Sequence, residues 1–94
     1  MEYEFINACE KGNINEAKEL LKTYPNIINF DKKEYYKEAF AGACRNGHLK
    51  VAQWLLQIKP TINISADNEY AFRQACAHGK LKVAQWLLFI KPNI

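Results

Sequence analysis

The sequence predicts an all-α solenoid of three helix-turn-helix units joined by hairpin-like loops. Three observations carry that expectation. The string ACRNGHLKVAQWLLQIKP, beginning at Ala43, returns as ACAHGKLKVAQWLLFIKP at Ala75, a spacing of 32 residues. A degenerate copy, ACEKGNINEAKELLKTYP, begins at Ala8, 35 residues before Ala43. Within each copy the apolar letters fall at helical spacing on both sides of a single glycine, the mark of a stacked repeat array. A chain of 94 residues supports one core, so residues 1–94 read as one domain with units at 1–30, 31–63 and 64–94.

Each unit is justified in the same order. Phe40, Ala43 and Cys44 mark the apolar side of a first helix; Leu49, Ala52, Leu55 and Leu56 mark that of a second, antiparallel one. Between the two stand Gly12, Gly47 and Gly79, where a tight turn between helices needs a residue tolerant of positive φ. Asn13 or His48 then opens the second helix. Pro25, Pro60 or Pro92 ends it, and Asn- and Ile-rich letters such as TINISADN follow in extended or turn conformation, leading to the next pair. The segment FDKKEYY precedes the second unit in a connection three residues longer than its counterpart and is expected to project as a longer loop.

A two-helix unit with a projecting turn, carrying the string GHLKVAQWLL, resembles the ankyrin repeat, which commonly reads G-H-L-x-V-V-x-L-L-L there. The resemblance covers essentially the whole chain. It departs from the family in the first helix, where T-P-L-H-x-A is replaced by Glu38-Ala39-Phe40-Ala41-Gly42-Ala43 and Tyr70-Ala71-Phe72-Arg73-Gln74-Ala75, without the family's Thr and His. Lys59 and Pro60 stand in place of a Gly-Ala pair after the second helix. The pattern ACxNGHLxVAxWLL with IKP is similar to ankyrin repeats of large DNA viruses.

The differences between copies define the ends of the stack. Val51 and Val83 correspond to Glu16, Trp54 and Trp86 to Glu19, and Gln57 to Lys22. Terminal units of a stack present a polar outer face, so the first unit is an N-terminal cap with both glutamates in water and Trp54 between layers. No matching change is found in the third unit, which keeps Val83, Trp86, Leu87 and Leu88 and reads Phe89 where the second has Gln57. With the chain ending at IKPNI, the third unit is expected to have no polar cap, and Trp86, Phe89 and Ile90 are the residues expected to support self-association, a homo-oligomer formed through the C-terminal face.

Composition narrows the function classes. Apolar residues make up 49% and charged residues 24%, as in a folded domain rather than a disordered tail. The N-terminus lacks a basic flank and apolar run of a leader, and nothing approaches a membrane span, so a cytoplasmic protein is expected, in the host cytoplasm if viral. The net charge of +3 divides into about −2 through Glu34 and about +5 beyond it. Lys50, Lys80, Lys82 and Lys91 lie on second helices and following turns, where solvation explains them better than nucleic-acid binding.

Cys9, Cys44 and Cys76 share one repeat position and read as small buried hydrophobes rather than metal ligands. His48 and His78 occupy different positions around the turn and lack metal-ligand spacing. No nucleophile–base pair or glycine-rich phosphate loop is found, so no catalytic residue, cofactor or metal is assigned. The resemblance implies instead a non-enzymatic module that binds a protein partner through its turns and the exposed edges of its first helices. Carried over by position, the contact residues are Glu34, Tyr35, Lys37, Arg45 and Asn46 in the second unit, and Ala66, Asp67, Glu69, Ala77 and His78 in the third. The first unit offers Glu2, Glu10 and Lys11. Tyr35, with Tyr36 beside it, and Arg45 are the expected anchors, since tyrosine and arginine carry much of the energy of protein interfaces.

Overall fold

Glycine at one recurring position sets the geometry from which the rest follows. In the computed structural model, which describes residues 2–25, 33–60 and 62–91, and the side chains of these except at 2, 33–35 and 66–68, Gly12, Gly47 and Gly79 have φ of 77°, 77° and 69°. Each turn closes by the same two bonds. The amides of Gly12, Gly47 and Gly79 donate to the carbonyls of Cys9, Cys44 and Cys76, and those of Asn13, His48 and Lys80 donate to the carbonyls of Ala8, Ala43 and Ala75 at 2.8 Å. This is a Schellman ending, which satisfies the last carbonyls of a helix and reverses the chain. The residue after the glycine also starts the next helix, its carbonyl accepting from Ala17, Ala52 or Ala84.

The described residues form six helices: α1 Glu2–Lys11, α2 Ile14–Thr23, α3 Lys33–Arg45, α4 Leu49–Ile58, α5 Ala66–Ala77 and α6 Leu81–Ile90. They pair as three antiparallel hairpins, α1 with α2, α3 with α4 and α5 with α6, in accord with the three units read from the sequence. Two boundaries differ from that reading. Lys33–Tyr36 belong to α3 rather than to a projecting FDKKEYY loop, whose first three residues lie outside the described set, and α5 begins at Ala66, inside the expected connection. The physical reason in the first case is Tyr36, which is buried in the core and so holds the first turn of α3 onto the stack.

Packing is asymmetric. The first helices lie side by side, α1 on α3 and α3 on α5, whereas no comparably close pairing links α2, α4 and α6. Small residues permit the close approach: Ala8, Ala39, Ala41, Ala43, Ala71 and Ala75 are all buried. The second helices, spread further apart, are joined to the stack by Val51, Leu55, Val83 and Leu87, also buried. A row tight on one side and open on the other curves, with the first helices inside the curve.

Every interface between units repeats one set of contacts. Trp54 in α4 packs on Phe5 in α1 with ring centroids 6.1 Å apart and tilted by 48°, and Trp86 in α6 packs on Phe40 in α3 at 6.2 Å and 50°. Such tilted aromatic pairs add to the gain from area burial. Each tryptophan therefore faces backward, toward the preceding unit. Glu19, at the same position in the first unit, is exposed, as is Glu16.

The same logic corrects three expectations. Trp86, expected at an open end, is turned onto Phe40 and is partly buried against the core. Phe89 is 84% exposed, but its counterpart Gln57 is also exposed even though the third unit sits on the second; the position lies off the stacking face altogether. Cys76 is exposed whereas Cys9 and Cys44 are fully buried, because the cysteine position faces forward and nothing among the described residues lies in front of α5.

Candidate functional site

The turns place three pairs of residues in register along one edge of the stack: Glu10 and Lys11, Arg45 and Asn46, Ala77 and His78. Lys11, Asn46, Ala77 and His78 are exposed, while Glu10 and Arg45 are half-buried. Part of this edge holds the stack together. Asn46 Nδ2 donates to the backbone carbonyl of Glu10 at 2.9 Å and to that of Gly42 at 3.0 Å, so its amide ties the end of α3 to the end of α1. The Arg45 guanidinium lies 3.8 Å from Glu10 Oε2. An ion pair this exposed contributes roughly 0–1 kcal/mol, so Arg45 retains donors for another ligand at small loss to the fold.

Glu10 itself passes over Gly42, whose missing side chain makes room for it. This clasp between the first two units is a feature the sequence reading missed; the small residue at Gly42 was the available signal. A second such feature is the pair Tyr70 and Arg73 on α5, with the guanidinium carbon 5.7 Å from the ring centroid. Tyr3, at the position equivalent to Tyr70 and Glu38, is 78% exposed.

The remaining residues expected at the site are distributed differently. Lys37 is half-buried. Glu69, near the start of α5, is half-buried with φ of 62°, and its Oε1 accepts from Lys91 Nζ at 3.4 Å, joining the start of α5 to the residue after α6. Tyr36, expected beside Tyr35 as a surface contact, is instead a core residue with the Lys59 ammonium 5.5 Å from its ring centroid. The side chains of Glu2, Glu34, Tyr35, Ala66 and Asp67 lie outside the described set.

Among the described residues no group of three His, Cys, Asp or Glu could hold a metal ion, and no helix is long and apolar enough to cross a membrane. Burial pushes the thiols of Cys9 and Cys44 up to about 12, the first with a smaller contribution from the Glu10 charge, so both stay protonated, the opposite of a reactive thiolate. The shallow depression beside the first turn, lined by Gly12, Asn13, Ile14, Asn15 and Glu16, is wide open to solvent.

Three hairpins in register, each with the same glycine turn, agree with the comparison against known families. A sequence model described as ankyrin repeats, in three copies, matches residues 5–94. The chain belongs to the ankyrin-repeat family. Neither a curated protein nor a solved structure matches it. Ankyrin repeats are in general modules of protein–protein interaction and are typically not enzymes.

Proposed function

We propose that the chain is a protein-binding module that meets its partner along the inner edge of the stack, with Arg45, Asn46 and His78 at the centre of the contact and Lys37 and Glu69 beside it. The carrying observation is the registered row of turns, which presents side chains from all three units on one rigid edge. A preformed row lowers the ordering cost of binding, since little of the surface must be fixed when a partner arrives. Glu34, Tyr35 and Asp67 extend the same surface by their repeat positions. The likeness to ankyrin repeats of large DNA viruses extends the reading to a host protein met in the cytoplasm.

The test is affinity capture with the wild-type chain beside Arg45→Ala/His78→Ala, both checked for unchanged helix content. The expected result is a protein retained by the wild type and weakened about tenfold or more by the double substitution, as for contact residues at the centre of an interface. Capture unaffected by the substitutions would contradict the assignment of the edge. Binding that instead follows any polyanion and falls steeply with salt would replace it with the nucleic-acid reading, for which Lys50, Lys80, Lys82 and Lys91 are the available cations.

A further inference from the structure

The inner side of the stack carries more than its row of turns. Arg45 lies beside Glu10, its counterpart one unit earlier, and Asn46 beside the carbonyl of the same residue, which fixes the register of α3 against α1. Seven residues before Glu10 and Arg45 stand Tyr3 and Glu38. Seven residues are nearly two helical turns, so Tyr3 and Glu38 lie on the same open face and beside each other, about 8–10 Å apart, as the axes of packed helices are. Glu38 is exposed although its unit has a neighbour on both sides, so the position opens to solvent by its direction. The third unit shows what this face can hold. There the equivalent residue is Tyr70, and Arg73 places its guanidinium carbon 5.7 Å from the ring centroid. Ile6 and Ala41 stand where Arg73 does, so α1 and α3 supply no cation from that position. Among the described residues the Glu38 carboxylate takes part in no ion pair.

We propose that Tyr3 and Glu38 form a seat for an arginine side chain of the protein partner, and that the partner segment carries a carboxylate about 10 Å further along, for Arg45. The inference rests on the reading of this side of the stack as a protein-binding surface and names the chemistry of what it binds. A guanidinium held within about 6 Å of a ring centroid and about 3 Å from a carboxylate spans the distance between the two residues. Arginine suits the seat better than lysine, because its planar fork lies on a ring while its edge keeps N–H groups for the carboxylate. The local charge favours a cation: α1 contains Glu2, Glu4 and Glu10 against Lys11 alone, in a protein whose net charge is +3. Along α3, Glu38 and Arg45 are seven residues apart, about 10 Å at 1.5 Å per residue, and Arg45 keeps donors beyond its contact with Glu10. An extended segment advancing about 3.3 Å per residue meets both when its arginine and its acid are about three residues apart.

The test is selection of a random displayed-peptide library on the wild-type chain, followed by affinity measurements of the enriched peptides on single variants. The expected result is enrichment of arginine with an aspartate or glutamate about three residues away. Glu38→Gln should weaken these peptides about tenfold or more, Tyr3→Ala about fivefold and Tyr3→Phe little, since the ring rather than its hydroxyl receives the cation. Both residues are exposed, so the fold should accept the changes. A library selected on Glu38→Lys should show the preference reversed, with an acid at the arginine position, a response that a merely structural role of Glu38 would not give. Peptides that depend on Arg45 but carry no cation, or that bind Glu38→Gln as well as the wild type, overturn the seat and leave the edge in place. Peptides indifferent to Arg45→Ala and Glu38→Gln alike, or a library from which nothing is enriched, overturn both.

Discussion

Trp54→Ala is expected to lower the stability of the chain by about 3–5 kcal/mol, read as a shift of the urea unfolding midpoint. The indole lies between units, partly buried against the core and tilted onto Phe5, so its removal leaves a void at an interface that the small first-helix alanines cannot close. Against a total of roughly 5–14 kcal/mol for a domain of this size, the loss is a large share. Glu19→Ala, at the same repeat position one unit earlier, should change stability by no more than about 0.5 kcal/mol, since its side chain stands in solvent. The contrast between two substitutions at one repeat position separates the stacked arrangement from any packing in which the three copies are equivalent.

The second large effect is a cooperative unfolding in alkali. Burial raises Cys9 and Cys44 from about 9 to about 12, and it pushes the Tyr36 phenol from 10 up to about 12 as well. Between those values the unfolded chain has released protons that the folded chain still holds, so the unfolded state gains and stability falls as pH rises. Each buried thiol contributes a slope of about 1.4 kcal/mol per pH unit above its ordinary pKa. Below about pH 8 both states keep these protons and the three groups leave stability unchanged with pH. Unfolding at fixed urea should therefore set in steeply above roughly pH 10. Cys9→Ala/Cys44→Ala should flatten the dependence while lowering stability modestly near neutrality. An unchanged slope in that variant would assign the alkaline transition to other groups.

The architecture was legible in the letters because the repeat writes it three times. Glycine at one position specifies the turn wherever it occurs, and Glu16 and Glu19, exposed where Val51 is buried and Trp54 half-buried, set the first unit apart from the other two. What the letters do not carry is the direction in which a side chain of one copy meets another. Trp86 reads as an end residue until it is known that the tryptophan position faces backward; Phe89 reads as a stacking residue until Gln57, in a unit that another one follows, is seen exposed as well. The recurring phenylalanine was in view all along, and only the paired geometry shows that Phe5 and Phe40 each receive a tryptophan of the following unit.

The candidate site was legible in position and less so in role. Arg45 and Asn46 stand at the turn positions that register gives, yet Asn46 donates to the Glu10 carbonyl and Arg45 lies in an ion pair with the Glu10 carboxylate, contacts across 36 and 35 residues of chain that no local pattern announces. Tyr36 shows the opposite failure. Adjacent tyrosines look alike as letters, but a helix turns each by about 100° from its neighbour, and the face of α3 on which Tyr36 falls is the buried one.

The stacked order of the units is tested most directly by proton–proton cross-relaxation between aromatic rings in the folded chain. The indole protons of Trp54 should show contacts to the ring of Phe5, and those of Trp86 to the ring of Phe40, with no exchange of partners. Contacts of Trp54 to Phe40 within its own unit, with none to Phe5, would contradict the stack.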